Sequence, residues 1–278
     1  MRIAVASGKG GTGKTTVALG LAMVAEAVTL VDCDVEEPDD HIFLGGRGDL
    51  VEEVTIPVVR VDETACTLCG ECARVCAYGA IAVLKDQVMV VDEMCHGCGA
   101  CGIVCPVDAI FEERRRIGEV WLRERGGIHL YTGFLDVGQP LATPIITRLK
   151  ALVGREGLLI YDSPPGTACP VVETVRDADH CILVTEPTPF GLFDLTMAVD
   201  MIRELDVPFD VVVNRDRDDF PDMDDYLRAE GIQVLMRIPD SMEIARLYSR
   251  GVHFVEEMPE WRERFSDLLV KVIGGGVR

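Results

Sequence analysis

The sequence predicts an α/β fold with a mostly parallel sheet, helices on both faces, and a small cysteine-rich domain inserted into it. Three observations predict this. Apolar runs of strand length alternate with helical stretches, a glycine run separates the first strand from the first helix, and eight of the eleven cysteines fall between Cys66 and Cys105. Strands alternating with helices imply a parallel sheet covered on both sides. Such sheets bind their ligands at the carboxyl ends of the strands.

In chain order, Ile3–Val5 reads as a short buried strand, followed by the glycine run Gly8 to Gly13 and a helix from Thr15 to about Glu26. Val17, Leu21 and Val24 give that helix its apolar spacing. Val28–Val31 is a second strand, ending in Asp32-Cys33-Asp34. Leu158–Tyr161, Cys181–Val184, Phe209–Val213 and Val234–Ile238 are further strands. Helical stretches alternate with them at Ile145–Leu152, Leu195–Leu205, Met223–Glu230 and Met242–Ser249. The tail, Pro259–Ile273, places Trp261, Phe265, Leu268, Leu269, Val272 and Ile273 on one helical face. Its polar residues are of mixed sign, so a helix docked on the sheet is expected rather than one lying on a membrane.

Between Val61 and about Arg116 this pattern breaks and the chain repeats itself. Cys66-x2-Cys69-x2-Cys72-x3-Cys76 recurs as Cys95-x2-Cys98-x2-Cys101-x3-Cys105, and Gly79-Ala80-Ile81 is matched by Val107-Asp108-Ala109-Ile110. The expected organisation is an α/β domain of residues 1–60 and 117–278 with a small α+β domain, residues 61–116, set into it. Val88–Val91 would be one arm of a hairpin between its halves. At roughly 150 residues per domain, 278 residues suit one large or two unequal domains.

Composition narrows the function classes. The 27 Lys and Arg against 47 Asp and Glu leave a formal net charge of −20, which repels nucleic-acid backbones and anionic membrane surfaces. The longest apolar stretch, Val17–Val28, is interrupted by Glu26 and is too short to span a bilayer. The N-terminus leads straight into the glycine run and does not read as a signal peptide. A cytoplasmic location is expected, and an odd number of thiols argues against a disulfide framework.

Gly8-Lys9-Gly10-Gly11-Thr12-Gly13-Lys14-Thr15 holds G-x-x-x-x-G-K-T between a strand and a helix, the context a phosphate-binding loop requires. Glycines let successive N–H groups wrap phosphates without Cβ interference, and the helix N-terminus adds a favourable dipole. Lys14 would reach the β- and γ-phosphates, the Thr15 hydroxyl would ligate Mg²⁺, and Thr16 closes the ATP-binding run. With Lys9 included, the loop resembles the deviant Walker A signature K-G-G-x-G-K-T. That signature belongs to MinD-type and ParA-type ATPases, the nitrogenase iron protein and Mrp-type iron–sulfur carriers.

The resemblance implies an ATP-dependent homodimer in which Lys9 crosses to the partner's nucleotide. It implies that Asp34 orients the attacking water and that Asp32 holds the magnesium shell. Asp162, after the apolar run Leu159-Ile160-Tyr161, matches Walker B and would touch Mg²⁺ through water. Asn214, Pro239 and Asp240 stand where the family contacts adenine. Lys9, Lys14, Asp34 and Asp162 are thus the expected catalytic set.

The cysteine runs resemble those of bacterial ferredoxins, in which the fourth cysteine of each run serves the other cluster. The resemblance implies one 4Fe–4S cluster on Cys66, Cys69, Cys72 and Cys105, and another on Cys95, Cys98, Cys101 and Cys76. Zinc sites use paired C-x2-C motifs with a spacer, which these runs do not match. Cys76 is followed by Ala77 where that pattern has proline, as in Cys105-Pro106. Cys33 and Cys181 read as small buried residues, and Cys169 as either a relay contact or an inert thiol. Taken together, the chain is similar to MinD-superfamily ATPases containing an inserted ferredoxin domain. The leading expectation is an ATP-hydrolysing dimeric switch coupled to electron transfer through its two 4Fe–4S clusters to a redox partner. The alternative is an ATP-dependent iron–sulfur or metallocluster assembly carrier. A spatial-positioning ATPase is disfavoured because the tail lacks a basic membrane helix.

Overall fold

In the computed structural model, which describes residues 1–275, the first strand, β1 (Arg2–Ala6), lies inside a nine-stranded sheet. The glycine loop leads from it into α1 (Lys14–Val24), then β2 (Val28–Asp32), α2 (Asp40–Phe43) and β3 (Asp49–Val61). The cysteine-rich stretch holds α3 (Glu71–Val75), β4 (Ile81–Val83), β5 (Val88–Val90) and α4 (Ala100–Ile103), and β6 (Ile110–Arg125) returns from it. Next come β7 (Ile128–Leu135), α5 (Thr143–Val153), β8 (Leu159–Asp162), α6 (Cys169–Val175) and β9 (His180–Thr185). Beyond these lie α7 (Pro189–Glu204), β10 (Phe209–Asp216), α8 (Pro221–Ala229) and β11 (Val234–Pro239). The helices α9 (Met242–Tyr248), α10 (Phe254–Glu257) and α11 (Pro259–Gly275) complete the described chain.

The strand order is β11-β10-β9-β1-β8-β2-β7-β6-β3. From β11 to β7 all pairings are parallel, while β6 runs antiparallel to both of its neighbours, β7 and β3. Alternation along β1 shows why both faces are covered: Ile3 and Val5 enter one apolar layer, Ala4 and Ala6 the other. The first layer takes Val17, Leu19 and Leu21 of α1 with Phe254 of α10 and Phe265 of α11. The second takes Ile145 and Leu149 of α5, Val171 of α6, Leu195 and Val199 of α7, and Leu227 of α8. Gly20 lets α11 approach α1 closely, since a Cβ there would stand 2.4 Å from Phe265 Cε1. The tail is therefore docked, with Trp261, Phe265, Leu268, Leu269 and Val272 buried and Ile273 exposed. Among the described residues no helix is long and apolar enough to cross a membrane.

The expected separate ferredoxin-like domain is corrected by the sheet. β3 and β6 pair along their length, from Val61 against Ile110 to Asp49 against Leu122, as continuous members of the main sheet. The boundary expected at residue 116 falls inside β6. Between the two strands, β4 and β5 form only a small hairpin, Ile81 opposite Val90 and Val83 opposite Val88. Ala80, Ile81, Cys95 and Cys101 are buried in the same apolar layer as Val54, Ile56 and Val58 of β3. The cysteine-rich segment is an excursion from one sheet edge that shares the main core.

Candidate functional site

β1, β2 and β8 converge at their carboxyl ends, where parallel register sets Asp32 beside Asp162 and Val5 beside Asp162. The Cys33 N–H donates to the Asp162 carbonyl at 2.9 Å and the Ser163 N–H to that of Val5 at 3.0 Å, which fixes the strand ends together. The glycine loop leaves β1 here. Gly13, at φ 96°, begins α1 without capping its first turn by a side chain, so those N–H groups remain free for an anion. A Cβ at Gly13 would meet Asn214 Nδ2 at 2.2 Å. Asn214 closes the loop instead, donating from Nδ2 to the Thr12 carbonyl at 2.7 Å.

A cleft of about 430 Å³ opens over this loop. Gly10, Gly11, Gly13, Lys14, Thr15 and Thr16 line one end, with Asp34 and Asp39 beside them. Asn214, Pro239 and Asp240 line the other end with Ser241, Ile244 and Tyr248 of the α9 region. All three positions expected at the base are thus on the cleft wall. The expected Lys9 points elsewhere: its Nζ lies 3.4 Å from Glu186 Oε2, and Arg215 Nη1 reaches Glu186 Oε1 at 2.6 Å.

The acidic side of the cleft is denser than the sequence suggests. The Thr15 hydroxyl faces Asp162 Oδ2 at 2.7 Å and Asp39 Oδ1 at 3.0 Å. Asp32, fully buried, accepts from the Asp34 N–H at 3.2 Å and the Asp40 N–H at 3.3 Å, so it anchors the loop after β2. Asp39, Asp40 and Asp162 each bring a carboxylate oxygen within 4.8 Å of the others'. Burial pushes the Asp34 carboxyl up to about 6 against the pull of Lys14, and burial likewise raises Asp162 to about 7. Asp32 and Asp40 are pushed well above the usual carboxylate range by burial and by neighbouring carboxylates.

Asp39, Asp40, Glu186 and Tyr248 were not singled out by sequence. The run Glu36-Glu37-Pro38-Asp39-Asp40 has no apolar residue to signal burial, and only the fold turns Asp40 inward.

The cysteines form two groups. Cys66, Cys69, Cys72 and Cys105 line one cavity of about 20 Å³. Cys76, Cys95, Cys98 and Cys101 line a second of about 20 Å³. N–H groups of Leu68, Ala80 and Ala109 donate to Cys66, Cys76 and Cys105 Sγ at 3.4, 3.3 and 3.2 Å. Cys33 and Cys181 are buried in the sheet, and Cys169 is exposed at the start of α6. The expectation of two resident 4Fe–4S clusters with an electron path through them is corrected. Among the described residues, Asp39, Asp40 and Asp162 are the group of three potential ligands brought within 4.8 Å of one another, and no cysteine trio is so drawn together.

Comparison with known proteins agrees with the nucleotide site. A family model, the CobQ/CobB/MinD/ParA nucleotide binding domain, matches residues 3–254. An uncharacterized protein of Methanocaldococcus jannaschii is 30% identical over 282 residues, covering 94% of this chain and 97% of its own. An iron–sulfur cluster carrier protein of Pyrococcus horikoshii is 27% identical over 221 residues, covering 76% of this chain and 60% of the carrier. The cell division ATPase MinD of Pyrococcus furiosus has the same fold, with a TM-score of 0.59 at 17% identity over 98% of both chains.

Proposed function

The chain belongs to the CobQ/CobB/MinD/ParA nucleotide-binding family and is a P-loop ATPase; from that premise we propose that it is an ATP-dependent carrier of iron–sulfur cargo. It works as a homodimer formed on ATP and delivers its cargo to a partner protein. The carrier name of the Pyrococcus horikoshii relative supports this reading over electron transfer.

One observation carries the proposal: the loop that senses the nucleotide is tied to the strand that returns from the cysteines. Asp34 lies at the cleft and shares the Asp32 carboxylate with Asp40, the first residue of α2. At the other end of α2, Arg125 Nη1 donates to the Phe43 carbonyl at 2.6 Å and Arg123 Nε to the Leu44 carbonyl at 3.3 Å. Both arginines belong to β6, whose first residue follows Ala109, the donor to Cys105 Sγ. A shift of the Asp34 loop is therefore passed by hydrogen bonds to the C-terminal end of β6, the strand whose backbone runs back to the thiols.

The residues divide the work. The glycine loop and α1 N-terminus hold the phosphates, and Lys14 supplies their counter-charge. Asp34 orients the attacking water once ionised. Lys9, released from Glu186, reaches the partner's nucleotide. Mg²⁺ fits the Thr15 hydroxyl and Asp162, whose buried Oδ1 has no hydrogen-bond partner among the described residues. When bound there it neutralises phosphate charge. The two thiol groups hold the cargo as substrate, since thiolates are the soft ligands that iron–sulfur species prefer.

Anaerobic incubation with iron and sulfide, followed by desalting, tests cargo binding. The wild-type chain retains both elements, and Cys72→Ser with Cys101→Ser loses them while nucleotide binding persists. Equal retention by the double variant would refute the assignment of the thiols.

A further inference from the structure

The two thiol groups come from one sequence repeat but are not built alike. We propose that they divide the work of carriage. The first, Cys66, Cys69, Cys72 and Cys105, exchanges cargo, and the second, Cys76, Cys95, Cys98 and Cys101, retains it beneath a stacked Tyr78–His96 pair. The inference rests on the carrier reading and assigns unequal roles within it.

The stack is the central observation. The repeat pairs Cys66 with Cys95 and Cys76 with Cys105, so Thr67 corresponds to His96 and Val107 to Tyr78. Thr67 and Val107 line the first cavity, and Tyr78 and His96 line the second. At the second site the two rings lie face to face, their centroids 3.5 Å apart and their planes 4° from parallel. Tyr78 is 44% exposed and His96 is exposed too, so the stack stands between that cavity and solvent. It also ties the two cysteine runs together, because Tyr78 follows Cys76 while His96 lies between Cys95 and Cys98. A threonine and a valine offer no such pair of rings.

Burial, anchoring and backbone strain point the same way. Cys95 and Cys101 are each 6% exposed, whereas their counterparts Cys66 and Cys72 are half-buried. The loop of the second run is seated on β3, since a Cβ at Gly97 would stand 2.6 Å from the Pro57 carbonyl oxygen. Asp92, just ahead of Cys95, accepts two hydrogen bonds from the Arg60 guanidinium of β3, at 2.7 and 2.8 Å. Gly97 adopts φ 64° without strain, while its counterpart Leu68 is held at φ 56°, a region that costs any residue with a Cβ. The link to the nucleotide also enters at the first site: the Ala109 N–H donates to Cys105 Sγ, and Ile110 begins β6. The matching donor at the second site, Ala80, leads only into the small hairpin.

An exposed, strained group of ligands opens more often than a buried, anchored one. Transfer from the first site is ligand exchange. For each iron–thiolate bond broken on this chain one forms to an acceptor thiolate, the acceptor thiol's proton passes through solvent to the thiolate set free, and no electron moves.

Anaerobic loading with Co²⁺, followed by its thiolate charge-transfer absorption during extraction by excess EDTA, tests the division without iron or sulfide. Extraction should run in two phases of equal amplitude that differ at least tenfold in rate. Cys72→Ser should remove the fast phase and Cys101→Ser the slow one. Tyr78→Val with His96→Thr, which gives the second site the residues of the first, should speed the slow phase at least fivefold and leave the fast one unchanged. Tyr78→Phe keeps the stack and should leave the slow phase slow. In the metal-free chain, iodoacetamide labelling read by peptide mass spectrometry should modify Cys66 and Cys72 at least fivefold faster than Cys95 and Cys101. A single extraction phase in the wild-type chain, a fast phase lost in Cys101→Ser instead, a slow phase indifferent to loss of the stack, or equal labelling rates would overturn the proposal. No thiolate absorption with Co²⁺ would overturn it together with the assignment of the thiols. Two phases from a chain that fails to retain iron and sulfide would support unequal sites while overturning the carrier reading.

Discussion

Asn214 on β10 donates to the main-chain carbonyl of Thr12, 202 residues earlier, and this buried bond holds the glycine loop closed. The distance is 2.7 Å, and the space a Cβ at Gly13 would need is taken by the same amide. Asn214 thus shapes the phosphate end of the cleft from a position that the resemblance assigned to adenine. Asn214→Ala leaves a buried carbonyl unpaired, at a cost of about 1–3 kcal/mol. ADP binding measured by calorimetry should weaken by roughly tenfold or more. Unchanged affinity would mean that the loop holds its shape unaided.

The two lysines of the loop should separate cleanly. Lys14 is buried at the phosphate end, whereas Lys9 is held by Glu186 at its rim. Lys14→Ala should abolish nucleotide binding. Lys9→Ala should bind ATP but neither dimerise nor hydrolyse it, as followed by light scattering and phosphate release. Glu186→Gln removes the charge that competes for Lys9, so it should dimerise at lower ATP than wild type. A Lys9→Ala chain that turns over normally would remove the trans role.

Asp34 predicts a pH signature in the nucleotide-free chain. Burial holds its carboxyl at about 6 against an ordinary 3.8. The folded state therefore keeps a proton that the unfolded state has lost, and this contribution to stability falls as pH rises through that window. Asp34→Asn lacks this loss. Its melting temperature should gain on wild type between pH 4 and pH 6 and hold the gain above. His253, pushed down to about 4 by burial, acts in the opposite sense in both proteins and cancels in the comparison. Parallel pH profiles for the two chains would show that Asp34 titrates as an ordinary carboxylate.

Arg125 should couple the nucleotide to the cargo. It reaches the Phe43 carbonyl of α2 and also pairs with Glu256 at 3.0 Å, outside the cleft. Arg125→Ala should keep ATP hydrolysis within about twofold of wild type while cargo release loses its response to ATP. Loss of both, or of neither, would place the route elsewhere.

Much of this arrangement is legible in the residues. The strands at β1, β2, β8, β9, β10 and β11 are largely apolar runs, and each has a counterpart in the sequence reading. β3, β6 and β7 do not, because polar or charged residues interrupt their apolar runs. Glu112 to Arg116 of β6 are charged throughout, and Arg116 bridges to Glu53 at 2.7 Å and Asp136 at 3.1 Å, while Arg60 of β3 pairs with Glu113 at 3.0 Å. Pro57 argues against a central strand but suits an edge one such as β3. Cross-strand ion pairs leave no periodic apolar signature, so the cysteine segment looked like a domain of its own. The glycine loop, Asp34 and Asp162 were visible because their spacing is local. Asp39 and Asp40 were not, since their burial depends on α2 packing against β7, far along the chain.

The central claim is that ATP governs the transfer of iron–sulfur cargo. The most direct measurement loads the chain anaerobically with iron and sulfide, adds an apo-acceptor protein, and follows reconstitution of the acceptor with no nucleotide, MgADP or MgATP. The account predicts that MgATP accelerates transfer at least severalfold, and that Lys14→Ala removes the acceleration while leaving the slow basal transfer. Equal rates under all three conditions, with cargo fully retained or leaking independently of nucleotide, would contradict it.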